Sequence, residues 1–464
     1  MLDTEPDLST NPFSHIDFTS GAVAAVSGGS DSTALLLLLR HHLDRMAPAT
    51  KLLAVTIDHG LRSGSAAEAQ TVAKLCARFG ISHRILTWSG PKPSTGLPAA
   101  AREARYRLLA EAAQAEGIGL ILTGHTADDQ AETVLMRQAR EEGLARDGGQ
   151  GHAEMAGRGL AGMAPATLYD WREWIVRPLL GLRREALRDV LRRENVGWAD
   201  DPTNIDAAFE RPRVRAALAD SNGAQRIDDA LALAVHEGRA RSQLGLAAAS
   251  LIGDFATRLS CGLIRLDPLS LNTGDERAAV YALRILLAMT GGIAFLPDQT
   301  RSEALFGRLR AGFLCATLSR TVVDSRRSGI FLRREARGLP AAATLTGSTL
   351  WDGRRRITLN DSSSALLIAP LGMAAAKRLA TGQGKAPPSL MRAALAAEPA
   401  LWHAGECLGL PGYGLKSAMM EVRPVVTPFA RFLPSFDLAP AQAVAGLIGA
   451  APVPPLPFSG HSAG

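Results

Sequence analysis

Ser27-Gly28-Gly29-Ser30-Asp31-Ser32 is the stretch that decides how this chain is read. It stands between a short apolar strand, Ala22–Val26, and a helical run from Ser32 to Leu39. Two glycines let a backbone adopt positive φ and approach a ligand closely. The helix that follows offers unpaired N–H groups and the positive end of its dipole. Ser27, Ser30 and Ser32 add hydroxyl donors. Together these features read as a cradle for a diphosphate. Asp31 repels phosphate unless a cation bridges the two, so Mg2+ is implied. No Gly-Lys-Ser/Thr follows, as a Walker A loop requires, and the loop lacks a GxGxxG pattern. Taken alone, the hexad could be a serine-capped helix after a glycine turn; the strand before it favours the phosphate cradle.

Outward from the hexad, strand and helix signals alternate. Leu52–Ile57 is a second apolar strand, ending at Asp58-His59-Gly60, and Ala66–Phe79 has helical composition. Ile81–Trp88 alternates like a strand, Pro98–Glu116 is an Ala/Arg/Glu helix, and Ile118–Thr123 is a buried strand before a helix over Ala127–Arg140. Buried strands separated by helices predict βαβ crossovers and a parallel sheet with helices on both faces. Ligands bind such sheets beyond the carboxyl ends of the strands. Three polar motifs, Ser27–Ser32, Asp58–Arg62 and Gly124–Asp129, follow three of these strands. One shared site is therefore expected.

Each candidate side chain has a plain structural reading beside the functional one. Asp128, Asp129 and Glu132 suit a metal or an ammonium group, but acids in a first helical turn also stabilise its dipole. Thr126-x-x-Asp129 resembles a capping box. His59, His125 and Arg62 line a site or are ordinary structural residues. Arg102 and Arg105 share one helix face and are either solvated or bound to an anion. Arg183, Arg184, Arg188, Arg192 and Arg193 share a helical stretch, Leu179–Glu194, with Glu185, Asp189 and Glu194, so intrahelical pairs compete with phosphate contact. Arg211, Arg213 and Arg215 alternate in a basic segment, with Pro212 putting the local backbone in doubt.

The 464 residues are 47% apolar and 21% charged, with a net charge of +6, which fits a globular protein of two or three domains and weakly suggests a polyanionic partner. Cys76, Cys261, Cys315 and Cys407 match no zinc or disulfide spacing. No signal peptide or run long enough to span a bilayer is read, so a cytoplasmic protein without a membrane partner is expected.

The hexad resembles the PP-loop of the N-type ATP pyrophosphatases, which split ATP into AMP and pyrophosphate. In order along the chain, Asp58-His59-Gly60-Leu61-Arg62, Ala101–Arg107, Thr123–Thr133, Arg177-Pro178-Leu179-Leu180, Trp198–Asn204 and Arg211–Arg215 resemble the tRNA(Ile)-lysidine synthetase family over residues 18 to 220. That resemblance implies an AMP-forming carbon–nitrogen ligase using ATP and Mg2+. Its substrates would be free L-lysine and a tRNA(Ile) with a CAU anticodon; the product, lysidine at the wobble cytidine, reads AUA instead of AUG. It also implies catalytic roles for Asp31, His125, Asp128, Asp129, Glu132 and Arg105, and nucleotide contacts from Ser27, Gly28, Gly29, Ser30, Asp31, Ser32, Asp58 and His59. Asp31 would hold the metal, and Arg183, Arg184, Arg211 and Arg215 would contact tRNA. A homodimer is an option.

The expected layout is an N-terminal tail (1–17), a PP-loop catalytic domain (18–220), a mainly helical tRNA-binding domain (221–340), a small α+β C-terminal domain (341–450) and a disordered tail (451–464). A mobile loop is expected at Gly143–Gly162, of which 143–157 looks inserted. Another PP-loop tRNA-modifying or amide-forming adenylating enzyme is the alternative. Thiolating members generally need paired cysteines, and a glutamine-fed ligase needs a glutaminase domain; neither is legible here. A non-catalytic tRNA-binding protein with a relict nucleotide fold is the other class, against which the intact loop argues.

Overall fold

In the computed structural model, which describes residues 11–61, 64–146, 159–199, 210–345, 347–359, 366–380, 387–411 and 420–458, the chain forms two units. One comprises Met1–Arg239, Pro434–Phe436 and Pro454–Gly464; the other comprises Ala240–Leu433 and Asp437–Val453.

At the heart of the first unit lies β1 (Ala22–Ala25), whose small apolar residues suit a strand covered on both faces. It pairs in parallel with β2 (Leu52–Asp58) on one side and β4 (Leu120–Thr123) on the other. The sheet continues through β3 (Ser82–Thr87) at one edge and β6 (Glu173–Val176) beyond β4, both parallel. Strand β5 (Ala166–Tyr169) adds to β6 antiparallel. The parallel α/β class expected from the sequence is borne out. Because β1 has neighbours reached in opposite directions, the crevice beyond its carboxyl end is the place for a ligand.

The helices of this unit are α1 (Ser30–Met46), α2 (Ser65–Arg78), α3 (Leu97–Ala115), α4 (Ala127–Arg146), α5 (Arg184–Arg193) and α6 (Glu210–Ala217). Helix α1 buries Leu35, Leu36, Leu37 and Leu39, and α3 buries Tyr106, Leu109 and Ala113. Helix α4 runs further than the predicted Arg140, so the expected loop at 143 starts later; residues 147–158 of that loop lie outside the described residues. Helix α6 begins at Glu210, which puts Pro212 in the first turn, where no intrahelical N–H bond is lost.

The first unit runs past residue 220 to Arg239, within helix α7 (Gly223–Phe255). The cause is packing: Ile227, Ala230 and Ala234 form one apolar cluster with Ala131 and Val134 of α4. The tails are also corrected. Phe13 and Ile16 are buried, Asn11 donates to His42 Nδ1 at 2.7 Å, and Ile16 forms a β-bridge with Phe458. Residues 11–17 and 451–458 are therefore structured, whereas 459–464 lie outside the described residues.

The second unit has the expected additional helical and sheet-rich regions, with more strand in residues 256–334 than a mainly helical reading holds. Its helices α8 (Glu276–Gly291) and α9 (Gln299–Ala311) accompany a five-stranded antiparallel sheet built from residues 256–334. That sheet joins β7 (Ala256–Ser260), β8 (Leu263–Leu266), β11 (Gly329–Arg334), β10 (Thr321–Arg326) and β9 (Cys315–Leu318) in this order. Two smaller antiparallel sheets follow, together with three short helices. Among the described residues, no helix is long and apolar enough to cross a membrane.

Candidate active site

The hexad leaves β1 in an open turn. Gly28 takes φ +88° and Gly29 is extended just before α1. A Cβ on Gly28 would also press on Val72 Cγ2 at 3.2 Å, so both conformation and space call for glycine there. Ser32 Oγ accepts from the Ser27 N–H at 3.1 Å and donates to the Gly29 carbonyl at 3.2 Å, tying the loop to the first turn. The first-turn N–H groups of α1 have no acceptor within the helix, and Ser30, Asp31 and Ser32 of that turn line the crevice.

Gly124, at the exit of β4, is the second constraint. A Cβ there would lie 2.8 Å from the Asp31 carbonyl oxygen and 3.0 Å from Ser32 Cα. Glycine thus lets β4 and α1 touch backbone to backbone, which brings His125 beside the loop. Thr123 Oγ1 and His125 Nδ1 share a hydrogen bond of 2.9 Å. Burial, followed by the charges of Arg177, Arg105, Arg102 and Arg211, pushes the His125 pKa well below its ordinary value, so the ring is neutral near pH 7.

Helix α4 supplies the acids. Asp129 accepts from the Thr126 N–H at 3.0 Å, and its N–H is met by Thr126 Oγ1 at 3.3 Å; the capping box is real. The same carboxylate reaches Arg184 Nη2 at 3.0 Å. Arg184 Nε meets Asp31 Oδ2 at 2.9 Å, and Nη1 lies 3.5 Å from Glu132 Oε1. Glu132 is also held by both branches of Arg215, at 2.6 and 3.1 Å. Burial disfavours the charge on Arg184, but Asp129, Asp31 and Glu132 outweigh it and raise its pKa. Asp128 points away from this knot, to Arg183 at 3.3 Å and the Arg184 N–H at 2.7 Å.

Helix α3 supplies a cationic wall. Arg102 and Arg105 lie 4.9 and 5.2 Å from the centroid of the buried Tyr106 ring. Burial alone would raise the Tyr106 pKa, but Arg105, Arg102 and Arg177 bring it down to about 8. Burial also lowers the pKa of Arg102.

These parts enclose a cavity of about 830 Å3. Ser27, Gly29, Ser30, Asp31, Ser32, His59, Arg105, His125, Asp129, Arg184, Arg211 and Arg215 line it, as the sequence reading expects of one shared site. Asp58 does not. The Oδ1 of Asp58 accepts from the Gly60 N–H at 2.8 Å and Ser65 Oγ at 2.7 Å, bracing the turn after β2. His59 packs edge-on against Trp88 with centroids 6.0 Å apart, and burial, then Arg105, lowers its pKa. Arg62 lies outside the described residues. Arg184, expected to contact tRNA, is half-buried, lines the cavity and pairs with Asp31 and Asp129. Arg183 sits on the rim between Asp128 and Asp228. Arg192 is spent on Glu185 and Asp189.

Three lining elements lay inside motifs read from the sequence but had no individual role assigned. Arg188 enters the cavity from α5, with its guanidinium 5.9 Å from the Trp198 ring. Ala199 donates its N–H to the Gly28 carbonyl at 2.9 Å and closes the loop from above. Gly124 carried the signal of a strand-end glycine. The Asp200–Asn204 part of the expected turn lies outside the described residues.

The site's hard carboxylates suit Mg2+ chemically. No group of three metal-ligating side chains stands preassembled among the described residues, but Mg2+ commonly needs only one or two carboxylates beside substrate phosphates. Asp31, next to the loop, meets that requirement.

A family model described as a PP-loop domain matches residues 9–222. The tRNA(Ile)-lysidine synthase of Mesorhizobium japonicum is 72% identical over 463 residues, covering 100% of both chains. That of Brucella canis is 37% identical over 442 residues, covering 92% of this chain and 94% of the relative. Among solved structures, a U34-tRNA thiolase from Methanococcus maripaludis covers 48% of this chain and 73% of its own at 16% identity and a TM-score of 0.38. With curated relatives this similar along nearly all of its length, the chain belongs to the tRNA(Ile)-lysidine synthase family.

Proposed function

We propose that this protein joins L-lysine to C2 of the wobble cytidine in a CAU-anticodon tRNA(Ile), using ATP and releasing AMP and pyrophosphate. The observation that carries the reading is the cavity where the diphosphate loop, Asp129 of α4 and a wall of arginines meet. Full-length similarity to curated tRNA(Ile)-lysidine synthases supports it.

In the first step, O2 of the cytosine attacks the α-phosphorus of ATP and pyrophosphate departs. The loop N–H groups and serine hydroxyls stabilise the charge that develops on that leaving group. Bound Mg2+, held through Asp31, would neutralise phosphate charge. Arg105 and Arg211 line the same cavity, suited to the phosphates and to the adenylated base. His125, kept uncharged, is a hydrogen-bond partner for the base instead of a second cation.

In the second step a lysine amine attacks C2. The N–C2 bond forms, the C2–O2 bond breaks, AMP leaves, and the amine loses a proton. Asp129 and Glu132 hold and orient the cationic substrate, and positioning of the two reactants provides much of the rate. The basic groups Arg183, Arg211 and Arg215 guide the polyanion to the mouth of the cavity.

Incubation with ATP, Mg2+, labelled lysine and CAU-anticodon tRNA(Ile) tests the reading. Lysine-dependent labelling of the tRNA, matched by AMP release, is expected. AMP release without lysine incorporation would move the protein to another adenylating PP-loop chemistry.

A further inference from the structure

We propose that Arg184 sets the affinity of the Asp31–Asp129–Glu132 trio for cations, acting as a resident competitor that a cationic substrate or metal must displace. This rests on the lysine-joining reading above for the identity of the substrate, but not for the competition itself.

The geometry carries the inference. Arg184 presents one nitrogen to each of three carboxylates: Nε to Asp31 at 2.9 Å, Nη2 to Asp129 at 3.0 Å and Nη1 to Glu132 at 3.5 Å. An ammonium group has the same charge and three N–H donors. The guanidinium therefore occupies the position and satisfies the acceptors that a lysine ammonium would claim. The other oxygens of the trio are also engaged. Asp31 Oδ1 accepts from Ser30 Oγ at 2.8 Å, Asp129 Oδ2 from Thr126, and Glu132 Oε2 from Arg215 at 3.1 Å. No carboxylate oxygen of the trio lacks a protein donor.

Charge completes the argument. Three carboxylates face two guanidiniums, Arg184 and Arg215, leaving a single negative charge. Two cations a few ångströms apart repel strongly in a desolvated site, so an incoming cation and Arg184 cannot share these oxygens. Once Arg184 swings away, the trio with Arg215 carries two negative charges, enough for an ammonium or a divalent ion. The swing needs only side-chain torsions. The backbone stays anchored because the Arg184 N–H donates to Asp128 Oδ2 at 2.7 Å. Arg215 differs, since it grips Glu132 with two branches and only skirts Asp129 at 3.8 Å.

Full-chain wild type, Arg184→Met and Arg184→Lys would be compared in two assays. The first is thermal melting with and without MgCl2, and separately with and without lysine. Arg184→Met should melt lower than wild type in buffer, because its trio repels itself, and gain more on adding either cation. The second is steady-state lysine transfer, where Arg184→Met should lower the KM for lysine on the order of tenfold while kcat changes separately. Arg184→Lys, which keeps the charge but loses the planar fork, should fall between the two; if Arg184→Met does not fold, Lys against wild type carries the comparison. Equal cation sensitivity of melting in variant and wild type, with the KM for lysine unchanged or raised, overturns the proposal. If wild type transfers no lysine at all, the functional reading fails, and the melting assay still decides for or against competition.

Discussion

Gly124 and Asp31 meet backbone to backbone: a Cβ on Gly124 would come within 2.8 Å of the Asp31 carbonyl oxygen. This contact holds the end of β4 against the first turn of α1. Gly124→Ala must part them, at a cost of about 1–3 kcal/mol of stability. The KM for ATP should rise by roughly tenfold or more, since displaced loop groups are sensitive to shifts of this size. Denaturant melts and ATP titration of turnover check both. Wild-type values in both assays would show that the contact is dispensable.

Asp31→Asn keeps the shape of the side chain and removes its charge. Turnover should drop on the order of 100-fold, the scale on which losing one preorganised electrostatic group acts. The measurement is AMP release under saturating ATP and tRNA. Activity close to wild type would remove Asp31 from both the metal and the orienting role.

Glu132 is 2% exposed and held by Arg215 and Arg184. Glu132→Ala takes both short contacts from Arg215 while Arg184 keeps Asp31 and Asp129, and it should destabilise the protein by about 2 kcal/mol. The figure is kept low because Arg215 stays partly solvated. Denaturant unfolding measures it, and a stability within error of wild type would contradict the ion-pair account.

Acid should weaken the fold through its buried imidazoles. The His125, His59, His42 and His83 pKa values all lie below the ordinary 6.5, chiefly from burial. The unfolded chain then binds more protons than the native one below about pH 6.5, so stability falls as pH drops through that region. His125→Gln should flatten the slope of melting temperature between pH 7 and 5. Tyr106 works at the other end. With its pKa at about 8 instead of 10, its contribution appears as pH rises from 8 and is complete above 10. Tyrosinate absorbance should show a transition near pH 8 that disappears in Tyr106→Phe.

Salt separates two kinds of arginine. Arg211 lines the cavity and, among the described residues, donates to Thr133 Oγ1 at 3.4 Å, whereas Arg192 is paired with Glu185 and Asp189. Arg211→Gln should reduce the slope of log affinity for tRNA against log salt by about one. Arg192→Gln should leave the slope unchanged. The reverse pattern would put the RNA on the outer face of α5.

Local signals made much of the first unit legible. The apolar runs at Ala22–Val26, Leu52–Ile57 and Ile118–Thr123 gave three strands within a residue or two of their observed ends. Their helices followed from composition and from stops such as Gly80. The β5–β6 hairpin went unread because its turn is Asp170-Trp171, two non-glycine residues at φ 46° and 65°. The β9–β10 turn at Ser319-Arg320, φ 49° and 62°, hid the five-stranded sheet in the same way. Both turns lack the Gly or Asn that ordinarily marks such conformations.

The sequence by itself determined the phosphate-binding turn, because everything that turn needs is local: two glycines, three hydroxyls and the start of a helix. It also determined that acids and arginines would be available. Which acid meets which arginine was decided only by tertiary structure. Arg184 reaches Asp31 across 153 residues, because α1 and α5 pack against each other. Asp58, two residues from its turn partner, was claimed by Gly60 and Ser65. Charges have no periodicity that announces their partners. Only the packing of apolar faces brings them within the few ångströms where ion pairs form.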